Sequence, residues 1–353
     1  MQMQMQSKVI KEGGYGCALS PPLPCAKSKR DLGKREVGKL IRMKNAKIEL
    51  SISTLVKSIP GWSKFYVVQE RDDCTSKDMA LLRNTYEDEC KVFEESEDTE
   101  LMQLLSPFAG SPLSGLGITP SFDYMGNFEH MLEAVALLNQ QGICHFDLHE
   151  NNVLIDTKGD FRIIDFGAAF LGDQTDEACV KRHVYVFSPD FPPLPPEVIM
   201  HHGISNDLTM KETLEQIMKK KVSFKVIQNI LGIRVEEQES QIRNFWAKDD
   251  TWKGDSWVAF YKKYWRTWDS WAVGVLFLDL LKKCMLMPSF IEKTWTLHGA
   301  AIKEVLRGCL DSNPLTRLTA MQALRTLREA RRDARRVTLA SKLASPSSPS
   351  PVE

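Results

Sequence analysis

The sequence predicts an α+β chain, with a small antiparallel β part first and a large, mainly helical part after it. Three observations carry this. Residues 8–110 hold short β-prone runs around one amphipathic helix. From about residue 112 the apolar spacing turns helical. Within the helical part, Asp147, Asn152 and Asp165 fall at tight spacing around two short apolar runs, Val153–Ile155 and Phe161–Ile164.

At 353 residues the chain can bury a sizeable core, as one large domain or two lobes. Its hydrophobic fraction of 43% and charged fraction of 26% are those of a soluble globular protein. A formal net charge of zero gives no global attraction to nucleic acid or to an anionic membrane. The eight cysteines include no C-x-x-C pair, and a chain this long needs no disulfide scaffold, so a reducing compartment is expected. No run reaches the ~18 apolar residues of a membrane span. The best candidate, Trp271–Leu281, is short, carries Asp279 and reads as a buried helix. Met1–Gln6 lacks the charged and apolar regions of a signal peptide. The expectation is a soluble intracellular protein without a membrane or nucleic-acid partner.

Lys8-Val-Ile10 leads as a strand into Glu12-Gly13-Gly14-Tyr15-Gly16-Cys17-Ala18, a glycine-rich turn whose backbone N–H groups suit a phosphate. A proline-rich loop and the basic run Lys27–Arg35 follow. Glu36–Ile41 reads as a strand and Asn45–Lys57 as a helix, with Ile48, Ile52, Leu55 and Val56 on its apolar side. Phe65–Gln69 and Leu101–Leu105 read as the next strands, with Ser106–Gly110 as a connector. Phe128–Gln141 is an amphipathic helix stopped at Gly142. Asn206–Lys221 reads as a further helix. Trp246, Trp252, Trp257, Trp265 and Trp268 read as packed core, since basic residues are not interleaved strongly enough for a nucleic-acid platform. Ala320–Leu339 is an arginine-rich helix with Glu329 and Asp333 interleaved, which reads as a solvated face. Ser345–Glu353 reads as a disordered Ser/Pro tail.

Asp147, Asn152 and Asp165 are what a phosphoryl-transfer site needs. One carboxylate takes a hydroxyl proton; a carboxamide and a second carboxylate offer hard oxygen donors to Mg²⁺. His145-x-Asp147-Leu-x-x-x-Asn152, followed by Asp165-Phe166-Gly167, resembles the catalytic and metal-binding loops of the eukaryotic-type protein kinases.

That resemblance spans residues ~8 to ~330 and implies a two-lobed fold that transfers the γ-phosphate of ATP, with Mg²⁺, to serine or threonine of protein substrates. It makes Asp147 the base and Asn152 and Asp165 the metal ligands. Lys39 resembles the lysine that grips the phosphates and Glu49 its helix partner; Lys27 is the rival lysine, in a proline-flanked setting that makes a poorer strand. Gly13, Gly14, Tyr15, Gly16 and Ala18 would cover the nucleotide, and Pro107, Phe108 and Ala109 would meet the adenine edge. His145 is implied as a structural brace. Pro196-Glu197 resembles the end of the A-P-E motif, Asp269 the buried D-x-W-x-x-G aspartate, and Arg317 the buried partner of Glu197.

Three positions depart from the pattern. Lys11 stands where the first glycine of the loop belongs, Phe146 replaces a phosphate-sensing arginine, and His149 replaces a lysine beside the transferred phosphate. The implied organisation is residues 1–7 disordered, 8–110 an ATP-binding lobe, 111–338 a catalytic lobe with an insertion over about 200–262, and 339–353 a disordered tail. The compact Asp147–Asn152 loop, the stretch Gly14–Cys25 and the short Lys39-to-Glu49 spacing look most like kinases of large DNA viruses. A small-molecule kinase of the aminoglycoside or choline type, and a pseudokinase scaffold, remain the alternatives.

Overall fold

Five segments build an antiparallel sheet in the order β1-β2-β3-β5-β4, formed by Lys8–Gly13, Gly16–Ser20, Glu36–Arg42, Glu70–Thr75 and Leu101–Pro107 taken in chain order. The computed structural model describes residues 7–13, 16–24, 35–75, 90, 92, 100–252 and 257–344. Gly14, Tyr15, Lys27 and the 345–353 tail lie outside the described residues. The chain packs as two units, Met1–Leu116 with Leu137–Leu171, and Gly117–Ala136 with Gly172–Glu353. The segment bearing Asp147 and Asp165 therefore packs with the sheet.

In the first unit, one face of the sheet buries Cys17, Leu19, Leu40 and Leu101 together with Cys74 and Cys90. The other buries Ile41, Met102 and Leu104 against Ala46 of α1, Met43–Lys57. Gly16 is required where β2 meets β3, because a Cβ there would stand 2.1 Å from the Leu40 carbonyl oxygen. Helix α1 starts two residues earlier than expected, and its buried stripe is Ala46, Glu49, Ile52, Ser53 and Val56. Ile48 and Leu55 are only half-buried. The face thus turns by one residue, and a carboxylate sits in it.

Two expectations need correction. The strand expected at Phe65–Gln69 is not in the sheet. That run follows a 3-10 turn, and its backbone meets β9 (Phe161–Ile163): the Val67 N–H donates to Ile163 O at 2.9 Å, and the Ile163 N–H to Phe65 O at 2.8 Å. The fourth strand is instead the charged Glu70–Thr75, which lies at the sheet edge, where polar residues are tolerated and protect against mispairing. The cysteines are also not all free thiols: Cys17 and Cys90 form a disulfide with a Cα–Cα distance of 5.9 Å. Separated by 73 residues, that pair has no signature in spacing.

β6 (Ser111–Pro112), β8 (Val153–Ile155) and β9 form a small sheet, and β7 (Ile143–Cys144) pairs with β10 (Phe170–Leu171). Gly110, at φ +130°, enters the first of these so closely that a Cβ would lie 2.1 Å from Ile155 O.

The second unit is helical. Helix α2, Tyr124–Gln140, ends just before Gly142, whose φ of +75° closes it. Phe128 stacks on Phe277 at 4.5 Å, and the Tyr124 hydroxyl donates to Phe277 O at 2.9 Å. Phe277 belongs to the buried helix Trp268–Cys284. Among the described residues no helix is long and apolar enough to cross a membrane. Met210–Lys220 is capped by a reciprocal Thr209/Glu212 box and is followed by Val222–Leu231 and Val235–Lys248. Trp246, Trp265 and Trp268 are buried; Trp252 and Trp257 are half-buried against Trp246 at 5.5 and 6.1 Å. The tryptophans are core. The terminal helix Ala320–Ala344 is more than a solvated face: Arg328 binds Glu129 and Glu133 of α2, each at 2.8 Å, and Arg331 also binds Glu129.

Buried Lys221 donates to Phe191 O at 3.0 Å and Leu194 O at 2.8 Å. Burial pushes its ammonium down from 10.5 to about 7, with Glu197 opposing. Between those values the unfolded chain binds the extra proton, so stability should rise with pH through about pH 7 to 10.5. Lys221→Met should flatten the dependence of melting temperature on pH in that window; an unaltered slope would count against this.

Candidate active site

Lys39 is placed by register, opposite Ala18 on β2 and Leu104 on β5. Because α1 follows β3 directly, its inward stripe carries Glu49 to the lysine: Lys39 Nζ donates to Glu49 Oε2 at 2.7 Å and Oε1 at 2.9 Å. The same ammonium donates to Asp165 Oδ1 at 2.7 Å. Burial works to lower the Lys39 pKa, but Asp165 and Glu49 override it and hold the ammonium above its ordinary value. Burial likewise works to raise Asp165. The charge and hydrogen bond of Lys39, with help from Lys11 and the Gly167 N–H, hold that carboxyl well below the usual carboxylate range. A triad of one cation and two carboxylates, with Lys39 and Glu49 buried and Asp165 half-buried, is the electrostatic centre of the site.

Asp165 sits at φ +65° and Phe146 at φ +66°, a region bulky L-residues avoid. Such strain persists where surrounding packing enforces it, often at functional sites. Phe146 is buried with its ring 5.6 Å from Phe170, so no charge occupies that position. His145 is fully buried; its Nε2 donates to Ile164 O at 3.0 Å, and its Nδ1 accepts the Asp147 N–H at 3.3 Å. The imidazole ties the Asp147 loop to the strand leading into Asp165.

Asn152 Nδ2 donates to Asp147 O at 2.9 Å and to Asp147 Oδ2 at 3.0 Å. That fixes both side chains and leaves Asn152 Oδ1 directed away from Asp147. His149 Nε2 lies 3.7 Å from Asp147 Oδ1, and its Nδ1 accepts the Asn151 N–H at 3.2 Å. Lys11 Nζ donates to Asn152 Oδ1 at 2.9 Å and Asn151 O at 3.1 Å. The position that reads in sequence as a missing glycine is a cation in the site.

A cavity of about 310 Å³ opens over this centre. Ile10, Val37, Val67 and Leu154 give it apolar walls, and Lys39 and Asp165 line it as well. Gly13, Gly16 and Ala18 line it from the hairpin, and Pro107, Phe108 and Ala109 from the end of β5. Phe108 carries the Arg35 guanidinium 4.2 Å above its ring. Sequence reasoning missed the apolar wall, yet period-2 alternation points to it: Val37 shares a face with Lys39, and Leu154 lies two residues beyond Asn152. An apolar slot ending in a cation and a carboxylate fits an adenine nucleotide. Among the described residues no group of three or more His, Cys, Asp or Glu is placed to hold a metal ion. Asn152 and Asp165 suit Mg²⁺ instead, which keeps waters and phosphate oxygens beside one or two protein donors.

In the second unit, Glu197 and Arg317 form a buried bidentate pair at 2.6 and 2.8 Å. Asp269 is buried in the first turn of its helix.

Residues 64–210 match the protein kinase domain model. The fold class is that of the two-lobed protein kinases: an antiparallel sheet with one helix, then a mainly helical remainder. The match takes in Asp147, Asn152, Asp165 and Glu197, while Lys11, Lys39, Glu49, Asp269 and Arg317 lie outside it. Over 82 residues the chain is 32% identical to CBL-interacting protein kinase 21 of Oryza sativa subsp. japonica, covering 23% of this chain and 15% of that protein. Over 81 residues it is 33% identical to CBL-interacting serine/threonine-protein kinase 21 of Arabidopsis thaliana, covering 22% and 17%. Over 132 residues it is 23% identical to CTD kinase subunit alpha of Schizosaccharomyces pombe, covering 35% and 22%. The chain thus spans less than a quarter of the length of these relatives.

Proposed function

We propose that this protein is a protein kinase that transfers the γ-phosphate of ATP to serine or threonine of protein substrates. The observation that carries this is the hydrogen-bonded Lys39–Glu49–Asp165 cluster at the cavity, in one packed unit with Asp147 and Asn152. Bound ATP supplies the phosphoryl group, and Mg²⁺ supplies the charge that neutralises the phosphates. Asp147 accepts the proton of the acceptor hydroxyl, held in place by Asn152 Nδ2. Lys39, held between two carboxylates, is the cation that meets the phosphates. Asn152 Oδ1 and Asp165 hold the cation. The chain's contribution is positioning and charge rather than covalent chemistry.

The serine/threonine assignment rests on the names of the relatives. Kinship with the kinases of large DNA viruses rests on the compact Asp147–Asn152 loop and the Lys39-to-Glu49 spacing, since the relatives named above come from plants and a yeast. An intracellular setting goes with ATP as the donor, although the Cys17–Cys90 bond stands against a strictly reducing one. The test is transfer of labelled γ-phosphate to a protein mixture and, separately, to a panel of small hydroxyl acceptors. Label on protein serine or threonine is expected. Label on small acceptors alone would move the assignment to a small-molecule kinase, and nucleotide binding without any transfer would move it to a pseudokinase.

Lys39→Met should weaken ATP binding about tenfold or more, on the scale of one charge-assisted contact, with adenosine binding unchanged. Competition against a fluorescent nucleotide measures both, and equal ATP affinity in the variant would remove Lys39 from the phosphate site.

A further inference from the structure

Lys11 is aimed into the cavity by a defect in the sheet. In the β1–β2 ladder Val9 pairs with Leu19, but Lys11 pairs with Ala18, so a bulge lies between Val9 and Lys11. With regular pairing Lys11 would oppose Cys17, on the face that buries Cys17 and Leu19 with Val9 packed against them. One extra residue reverses the face a side chain takes, and bulges are a common means of re-aiming one. Here Lys11 joins Ala18 in the cavity wall, and its ammonium reaches Asn152 Oδ1 and Asn151 O. Its neighbouring charges are Asp165 and Asp147, which attract it, and Lys39, which opposes it.

The catalytic loop offers no fixed cation of its own. His149 lies where a lysine stands in the resembling kinases, and Phe146 is buried against Phe170. The ammonium that reaches the loop comes from the hairpin, and it rests on the oxygen assigned to Mg²⁺.

We propose that Lys11 is a nucleotide-contacting residue: its ammonium binds the terminal phosphate of ATP, and it occupies the cation position on Asn152 until the nucleotide arrives. This rests on the kinase reading above. The long, flexible lysine stem lets the head group leave Asn152 Oδ1 for a phosphate oxygen when ATP binds, with or without metal, and Asn152 Oδ1 would then be open to a divalent cation. The glycine-rich hairpin then supplies the charge that the catalytic loop lacks.

The test measures the affinities of ATP and of adenosine, with and without Mg²⁺, for the whole chain and for Lys11→Met, Lys11→Gln and Lys11→Arg. The two neutral variants should bind ATP about tenfold or more weakly in the absence of Mg²⁺ and bind adenosine as wild type does. Lys11→Arg should retain most of the ATP affinity. The deficit of the neutral variants should shrink when Mg²⁺ is present, because the metal takes over part of the charge. Melting temperature read beside each titration separates misfolding, and the glutamine variant keeps a polar group on Asn152 if the methionine one unfolds. A wild-type ratio of ATP to adenosine affinity in folded Lys11→Met or Lys11→Gln would overturn the role of Lys11 alone. A wild-type chain that binds neither ligand would overturn the kinase reading and this inference together.

Discussion

Replacing Asp165 by Asn is expected to lower phosphoryl transfer by at least about a thousandfold, the scale of losing a central charge-stabilising group. Asp165 both faces the cavity and binds Lys39. Its pKa, held well below the usual range chiefly because Lys39 outweighs burial, keeps it anionic at every working pH. Asn retains the shape and one oxygen but removes the charge that holds a divalent cation. Lys39 keeps Glu49, so the sheet and α1 should stay in place. The expected signature is a collapse of single-turnover transfer across a Mg²⁺ titration, with metal-free nucleotide affinity kept or slightly improved as a carboxylate facing the phosphates is lost. Transfer within tenfold of wild type would show that Asp165 does not hold the metal.

The largest stability effect is expected at Glu197. Its carboxylate is 1% exposed and the Arg317 guanidinium 0% exposed, joined by two hydrogen bonds, while Arg317 Nε also donates to Asp311 O at 2.8 Å. Glu197→Ala leaves the guanidinium buried without its counter-ion, which costs about 3–5 kcal/mol. The double variant Glu197→Ala/Arg317→Met, with no stranded charge, should recover part of that loss. Denaturant titration of the three proteins measures this. A single-variant loss below about 1 kcal/mol would mean that the pair is solvated in solution, as surface pairs are.

Much of the site was legible because its residues are close in sequence. Asp147, Asn152 and Asp165 lie on one short loop-strand-strand segment, so their types and order point to the proposed chemistry before any fold is known. Lys39 and Glu49 were readable because a strand running straight into a helix brings its last residues beside the first turns of that helix. Glu49 itself was hidden from the apolar pattern, since it occupies the buried stripe where an apolar residue would be expected. The fourth strand was misplaced for the opposite reason: Phe65–Val68 is apolar because it packs on β9, while the true edge strand is charged. In the sequence Lys11 stands only as a departure from the glycine-rich pattern. Its meaning depends on a one-residue bulge, and pairing register is not encoded in the composition of a strand. The Cys17–Cys90 bond likewise joins residues that only the fold brings together.

The most direct measurement is transfer of labelled γ-phosphate from ATP, with Mg²⁺, to a protein mixture by wild type beside Asp147→Asn. Nucleotide binding of both is measured in parallel. The account predicts label on protein serine or threonine with wild type, almost none with the variant, and equal nucleotide affinity. Undiminished transfer by Asp147→Asn would contradict it.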